Sequence, residues 1–472
     1  MALEKAIQSC APVIRWTRDR RNLPRIAAKS LHGMSRLIAL LCLVPTLAWA
    51  APSQLRIQGS NTLGSALVPA LVQGMLQARG ATAIEQLPGE LGNEWVVRAR
   101  DAQGGSVRID IAAHGTRTGF AALAEGQADL ASASRAIDDD EFKRLSGVGD
   151  LRSAASEQVI ALDGVAIVTH PDNPLRQLTL EQLAQVFSGQ VTRWEQLGVT
   201  GGEIHLYARD GRSGTFETFD SLVLRPQHLR LSAQAKRFES ADALVAQVVA
   251  DRQAIGFSGL GTLHAARALA IAAGDGTAMA PSRALVASED YPLSRRLYFY
   301  LPAQPTAYAQ GLAAFAQSNA GQAIVAAQGF VAQQIVPVAV APLPNQPPTY
   351  RRLAGSAERL SVSFRFQPDS ALLDTKALRD VQRVAGYLRA AGKLRGSVVL
   401  VGLSDRKDAP GRAALLSRLR ALAVRRELAR QGVQARQVLG LGDALPVAGN
   451  AHWQERLRNR RVEVWVDRSA SE

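Results

Sequence analysis

The stretch Ala208-Arg209-Asp210-Gly211-Arg212-Ser213-Gly214-Thr215-Phe216 follows a strand-like apolar run, Glu203-Ile204-His205-Leu206-Tyr207, and leads into a helix-like run beginning near Phe216. A guanidinium, two hydroxyls and a flexible glycine therefore stand where a strand turns into a helix. The N–H groups of a first helical turn are free and the helix dipole is positive there, so the place suits an anion. Arg209 adds a planar fork of donors that matches a tetrahedral oxyanion. The plainer reading is a polar turn in which Ser213 caps the helix. This segment alone does not separate the two readings.

Similar turns recur upstream. Leu55-Arg56-Ile57-Gln58 reads as a strand, Gly59-Ser60-Asn61-Thr62 as a turn, and a helix follows through Leu71. Val107–Ile111 reads as a strand and His114-Gly115-Thr116-Arg117-Thr118-Gly119 as a second glycine- and hydroxyl-rich turn, followed by a helix from Phe120 to Glu125. Asp129–Ser132 is a short strand running into Ala133-Ser134-Arg135, and Gly164–Val168 is another strand. Alternating strands and helices indicate an α/β fold. In open α/β sheets the loops at the carboxyl ends of strands hold ligands. Three such turns, around Thr62, Thr116 and Ser213, together with Arg209, suggest a cleft that holds a small oxyanion.

At 472 residues the chain is too long for one ordinary core. Its beginning is distinct: Met34-Ser35-Arg36, the apolar run 37–47, then Ala48-Trp49-Ala50. These are the basic, apolar and small-residue parts of an export signal, too short for a membrane span. We expect cleavage after Ala50, residues 1–50 as a signal region with either a long n-region or a translation start at Met34, and no membrane span in the mature chain. Both cysteines, Cys10 and Cys42, fall in that region, which leaves no thiol for a disulfide, a zinc site or a nucleophile.

The formal charge of +14 is unevenly distributed. Residues 351–472 carry 24 basic and 12 acidic side chains, whereas 51–350 is slightly acidic. Opposite signs imply different partners for two domains. An exported basic module suits an acidic polymer rather than nucleic acid. The Pro-rich stretch 337–350 reads as an extended, semi-rigid linker between a large domain, 51–336, and a small one, 351–472.

The large domain resembles the periplasmic phosphate-binding proteins of phosphate ABC transporters. The resemblance rests on Ile57–Thr62, Gly115–Gly119, Ala128–Arg135, Leu178–Leu183 with Phe187-Ser188-Gly189 and Trp194, Arg209–Thr215, Ala254–Phe257 and Tyr291–Arg295. It implies a two-lobed periplasmic-binding-protein fold, type II-like, with phosphate between the lobes and no cofactor. By position it implies Thr62 and the Leu63 backbone, Thr116 and Thr118, Ser134 and Arg135, and Arg209, Ser213, Gly214 and Thr215 as phosphate-binding residues. Many members carry a carboxylate where this chain has Ser134; it accepts the proton of phosphate and repels sulfate. Beside the site, His114 reads as structural or solvent-facing.

The small domain reads as βαβαβ: strands at Leu360–Phe366, Ser397–Val401 and Arg461–Val466, and helices at Ala377–Ala391 and Leu415–Gln431. Gly402-Leu403-Ser404-Asp405, Leu416-Ser417, Arg420-Ala421 and Asn459–Val464 resemble the OmpA-like peptidoglycan-binding domain. The resemblance implies a small α/β domain in which Asp405 and Arg420 hold the diaminopimelate group of a peptidoglycan stem. One acid and one guanidinium suit a group that carries an ammonium and a carboxylate together. An Asp405–Arg420 structural ion pair is the alternative. Arg418, Arg425 and Arg426 read as a solvated helix face.

Catalysis finds little support. Ser213 does not sit in a Gly-x-Ser-x-Gly elbow, no His/Glu metal motif or Walker loop is present, and Asp138–Glu141 reads as the acidic start of a helix. The expected function is phosphate capture, transport or sensing in the periplasm, fixed to peptidoglycan, with a phosphate ABC permease as an open partner. The alternative is a structural envelope protein whose large domain has lost its ligand.

Overall fold

A computed structural model describes residues 53–468 apart from 212, 369 and 410. The expected signal region, with both cysteines, lies outside the described residues. Among the described residues no helix is long and apolar enough to cross a membrane.

The large domain is a two-lobed α/β structure. Ten of its strands form one path in the order Thr82–Pro88, Glu94–Arg100, Ser106–Ala112, Ser53–Gly59, Leu130–Ala133, Ser294–Tyr300, Glu157–Thr169, Ala254–Gly259, His205–Arg209 and Lys236–Phe238. Two antiparallel strands in the middle, Ser294–Tyr300 and Glu157–Thr169, carry the chain between lobes. Glu157–Thr169 gives Ile160 and Ala161 to a first core, with Leu55, Ile57, Val107 and Leu312. It gives Leu162, Val165 and Ile167 to a second core, with Phe187, Trp194, Phe219 and Phe257. One strand thus serves two separate cores, which makes these two strands the hinge. The hairpin Thr82–Arg100, which the sequence did not announce, widens the first lobe's sheet.

Helix starts follow local chemistry. Ser213 caps the helix Gly214–Phe219 by accepting from the Phe216 N–H. Asp138 and Glu141 form a capping box on the helix Asp139–Arg144, so the acidic run opens a helix.

The small domain is a five-stranded sheet in the order Pro337–Val338, Ala357–Phe364, Arg461–Asp467, Arg395–Leu403, Gln434–Gly440. Val384, Leu388, Val424 and Leu428 of the helices Thr375–Ala390 and Arg412–Arg430 pack on one face against Val362, Leu400 and Val464. Tyr350 and Trp465 meet edge-on across the other, with ring centres 5.1 Å apart. The Pro-rich stretch is not a free spacer. Pro337–Val338 forms the outer strand of this sheet, where a missing N–H costs nothing, and Pro348 opens a helix that ends at Ser356.

The two domains meet through buried charge. Asp290, 1% exposed, receives Arg359 at 2.6 Å, Arg365 at 3.0 Å and Arg461 at 3.7 Å, all three from the small domain. Glu289 pairs with Arg296, which also reaches Asp374 at 2.8 Å. Arg458 donates to the Tyr291 carbonyl at 2.8 Å. Each of these bonds grips the segment 289–296, where the hinge strand begins. Burial alone would raise the carboxyls of Glu289 and Asp290. The facing arginines outweigh it and hold both down at about 2.

Candidate functional site

Between the lobes, hydroxyls expected at three separate turns lie together. Thr62, in the short helix Asn61–Gly64, is buried beside Leu63. Thr116 opens the helix Thr116–Ala124, and its Oγ1 lies 3.0 Å from Ser134 Oγ and accepts from the Ser134 N–H at 3.0 Å. The second lobe closes on them with Gly214. A Cβ at that position would stand 2.6 Å from Thr62 Cα, so only glycine permits this approach.

Three charged residues that the sequence reading did not assign complete the cleft. Glu217 accepts from Thr62 Oγ1 at 3.0 Å through one carboxylate oxygen and from Ser134 Oγ at 3.0 Å through the other. Arg295, on the hinge strand, donates to Thr62 Oγ1 at 2.7 Å and to the Gly214 carbonyl at 3.0 Å. Its Nε faces Asp163 at 3.3 Å, and Thr218 Oγ1 donates to the same carboxylate at 2.8 Å. Glu217 lies one helical turn beyond Ser213, so the two share a helix face; that spacing was the available signal. Arg295 stood in the Tyr291–Arg295 stretch that carried the family resemblance, but without a role assigned to it.

The remaining expected residues are placed differently. Ser213 and Thr215 sit at the start of the second-lobe helix, with Ser213 engaged as its cap. Thr118 Oγ1 is exposed and donates to the Gly115 carbonyl of its own turn. Arg135 turns away to Glu141 with two bonds of 2.7 Å. Arg209 stands at the end of its strand and donates to the carbonyls of Phe238 at 3.3 Å and Glu239 at 2.6 Å. Among the described residues no carboxylate forms an ion pair with it. Its burial pulls the guanidinium below its ordinary range, against weaker opposing effects of Asp210, Asp242 and Glu239. It is a half-buried cation held beside the loop that leads into the cleft. His114 bonds Glu94 at 2.8 Å, outside the hydroxyl cluster.

In the small domain Asp405 is fully buried. Its Oδ2 receives Lys407 at 2.8 Å and Arg460 at 3.0 Å, and Ser404 Oγ donates to Oδ1 at 3.2 Å. Arg420 donates to the same Ser404 hydroxyl at 3.2 Å and lies 5.7 Å from the centre of the Phe366 ring. Asp405 and Arg420 are thus neighbours through Ser404. Burial favours the neutral Asp405, but Arg460 and Lys407 prevail and hold its carboxyl at about 2. Arg418, Arg425 and Arg426 are exposed. No cluster of metal-ligating side chains occurs among the described residues.

Residues 49–320 match the family model of a PBP superfamily domain, and residues 365–460 match that of the OmpA family. The chain is 30% identical over 244 residues to the phosphate-binding protein PstS of Pseudomonas aeruginosa, covering 48% of this chain and 74% of that protein. It is 33% identical over 218 residues to the protein SphX of Synechocystis sp., covering 43% of this chain and 63% of that protein. Among solved structures it is similar to an ABC-type phosphate transport receptor from Vibrio cholerae, at 23% identity and a TM-score of 0.45, over 59% of this chain and 99% of that one.

Proposed function

The chain belongs to the PBP superfamily and, within it, to the family of the PstS phosphate-binding proteins; from that premise we propose that it captures inorganic phosphate between its lobes, outside the cytoplasm, while its OmpA-family domain holds it on peptidoglycan. One observation carries the reading. Hydroxyls of Thr62, Thr116 and Ser134 from one lobe meet the first turn of the Gly214 helix from the other in a closed, largely buried cleft. A cleft built of hydroxyl donors has the chemistry of an oxyanion receptor. In a dry site such donors act in a low dielectric and hold charge strongly. Arg209 supports the reading as a half-buried cation that forms no ion pair with a carboxylate among the described residues.

The test is calorimetric titration of the chain from Ala51 onward with phosphate and then sulfate. Saturable heat with phosphate is expected. Arg209→Ala should weaken it by about 1.5–3 kcal/mol, the worth of one charged hydrogen bond. No heat from folded, ligand-free protein would overturn the reading.

One feature favours a second reading, a structural envelope protein that has lost its ligand. The Glu217 carboxylate already engages the hydroxyls that an anion would use. The same titration separates the two.

Wall attachment rests on Asp405 and Arg420, which are adjacent and set among cations. Such a pair suits the diaminopimelate group of a peptide stem, which offers an ammonium and a carboxylate. Asp405→Ala combined with Arg420→Ala should abolish co-sedimentation with isolated sacculi while phosphate heat persists. Undiminished retention of that double variant would remove the clamp from the proposal. A phosphate permease as partner follows from the family alone.

A further inference from the structure

A cavity of about 670 Å³ lies where the two domains meet. Ala136, Ile137 and Arg152 of the large domain line one side, and Phe366, Arg458 and Arg460 of the small domain line the other. Ligand sites usually enclose ~300–1,000 Å³, and domain junctions are a common place for them. The rim is exposed at Ala136, Arg152 and Pro368. Two walls of the cavity are shared with the Asp405 and Arg420 pair. Arg460 bonds Asp405 at 3.0 Å, and the Phe366 ring centre lies 5.7 Å from the Arg420 guanidinium. A chain-like ligand held at that pair can therefore continue past Arg460 and Phe366 towards the large domain.

The charges of the cavity favour a carboxylate. Its acids are engaged: Glu289 and Asp374 face Arg296, and Glu157 accepts from the Tyr300 and Thr375 hydroxyls. Two of its arginines are held less firmly. Arg458 rests on the Tyr291 and Ser294 carbonyls at 2.8 and 3.4 Å, and among the described residues it forms no ion pair with a carboxylate. Burial pulls its guanidinium below the ordinary range, against weaker opposing effects of Glu289, Asp290 and Glu455. A carboxylate beside it would relieve that cost through a charged hydrogen bond. Arg152 bonds Asp139 at 2.6 Å, but the two side chains are 43% and 80% exposed. Such a surface pair contributes little, so Arg152 can turn to a ligand at small cost. Between these arginines Ile137, Phe366 and Leu457 offer apolar surface. The chemistry suits a short peptide with small apolar side chains and a terminal carboxylate.

We propose that this cavity is a second part of the wall-binding site, in which the large domain, through Arg152, holds the carboxylate end of a peptide stem whose diaminopimelate group sits at Asp405 and Arg420. The inference rests on the wall-attachment reading above. It adds that the large domain is itself a wall-binding surface, and that the junction of the two domains forms the site.

The experiment is calorimetric titration of the full mature chain with a soluble stem tetrapeptide that carries diaminopimelate, and with the same peptide amidated at its terminal carboxylate. It is repeated on Arg152→Glu, which reverses the charge at the rim, and on Ala136→Trp, which fills the cavity from the large-domain side. Thermal unfolding shows whether each variant is folded, and either one decides the matter if the other is not. The parent is expected to bind the peptide, and each variant to bind it at least fivefold more weakly. Amidation should weaken binding to the parent by a similar factor and should not weaken binding to Arg152→Glu. Affinity unchanged in the folded variants would overturn the proposal and leave a clamp confined to the small domain. Equal binding of the two peptides by the parent would also overturn it. No binding of the peptide by the parent, together with no retention on isolated sacculi, would overturn the wall-attachment reading itself.

Discussion

Asp290→Ala is expected to destabilise the protein by about 3–5 kcal/mol, the usual cost of removing one partner from a buried ion cluster. Three guanidiniums converge on this one carboxylate, and Arg359, Arg365 and Arg461 are each 12% exposed or less at the side chain. They would not suffer equally. Arg359 also faces Glu463 at 3.5 Å and is raised above its ordinary range: burial opposes the charge, but Asp290 and Glu463 outweigh it. Arg365 is the weaker member. Burial drags it down to about 10 even with Asp290 and Glu289 present. Without Asp290 it would be a buried cation resting on the Ser288, Glu289 and Arg458 carbonyls. Urea unfolding at neutral pH, followed by circular dichroism, measures the loss. A change below about 1 kcal/mol would mean that water reaches the junction, as at an exposed ion pair.

Acid should dissolve the same junction. Glu289 and Asp290 have folded-state values near 2, below the ordinary 4.5 and 3.8. A depressed carboxyl binds fewer protons folded than unfolded, so its contribution is complete above the unfolded value and disappears as pH falls through the folded one. The window is therefore about pH 4.5 down to 2. The two shifts together correspond to a loss on the order of 6 kcal/mol. Thermal unfolding from pH 7 to pH 2 should show a plateau above pH 5 and a steep decline below pH 4. Asp290→Asn should flatten that decline. An identical acid profile in the asparagine variant would place the acid-sensitive groups elsewhere.

The position of this junction bears on the cleft. The small domain grips residues 289–296, and Arg295 lies within that segment while reaching Thr62 and Gly214. One short stretch of chain thus holds both the interdomain ion cluster and a cross-lobe contact.

Much of this architecture was legible in the residues. The α/β alternation, the turns at Thr62, Thr116 and Ser213, the Ser213 cap and the acidic helix start at Asp138 all follow from patterns within a few positions. Apolar periodicity, glycine and capping side chains act over one or two turns, so sequence alone suffices for them. The Gly402–Asp405 and Arg420 motifs were legible for the same reason, because strand and helix offsets are fixed locally.

Tertiary structure decided the rest. Thr62, Thr116, Ser134 and Gly214 span more than 150 positions and meet only because the strands Glu157–Thr169 and Ser294–Tyr300 fold one lobe over the other. Long charged side chains were the least readable. Arg209 rests on the Phe238 and Glu239 carbonyls, Arg135 turns to Glu141, Arg295 enters the cleft and Asp405 takes Arg460 as a partner. Pro337–Val338 likewise became a strand because Leu360 and Arg359 offered it an edge. A flexible side chain or an extended segment has several local minima of similar energy. Which one it occupies is set by the donors, acceptors and buried charges that distant parts of the chain bring within reach. The sequence by itself determined where this protein places its turns, caps and hydroxyls. Only the folded chain determined that Glu217 and Arg295 stand among them.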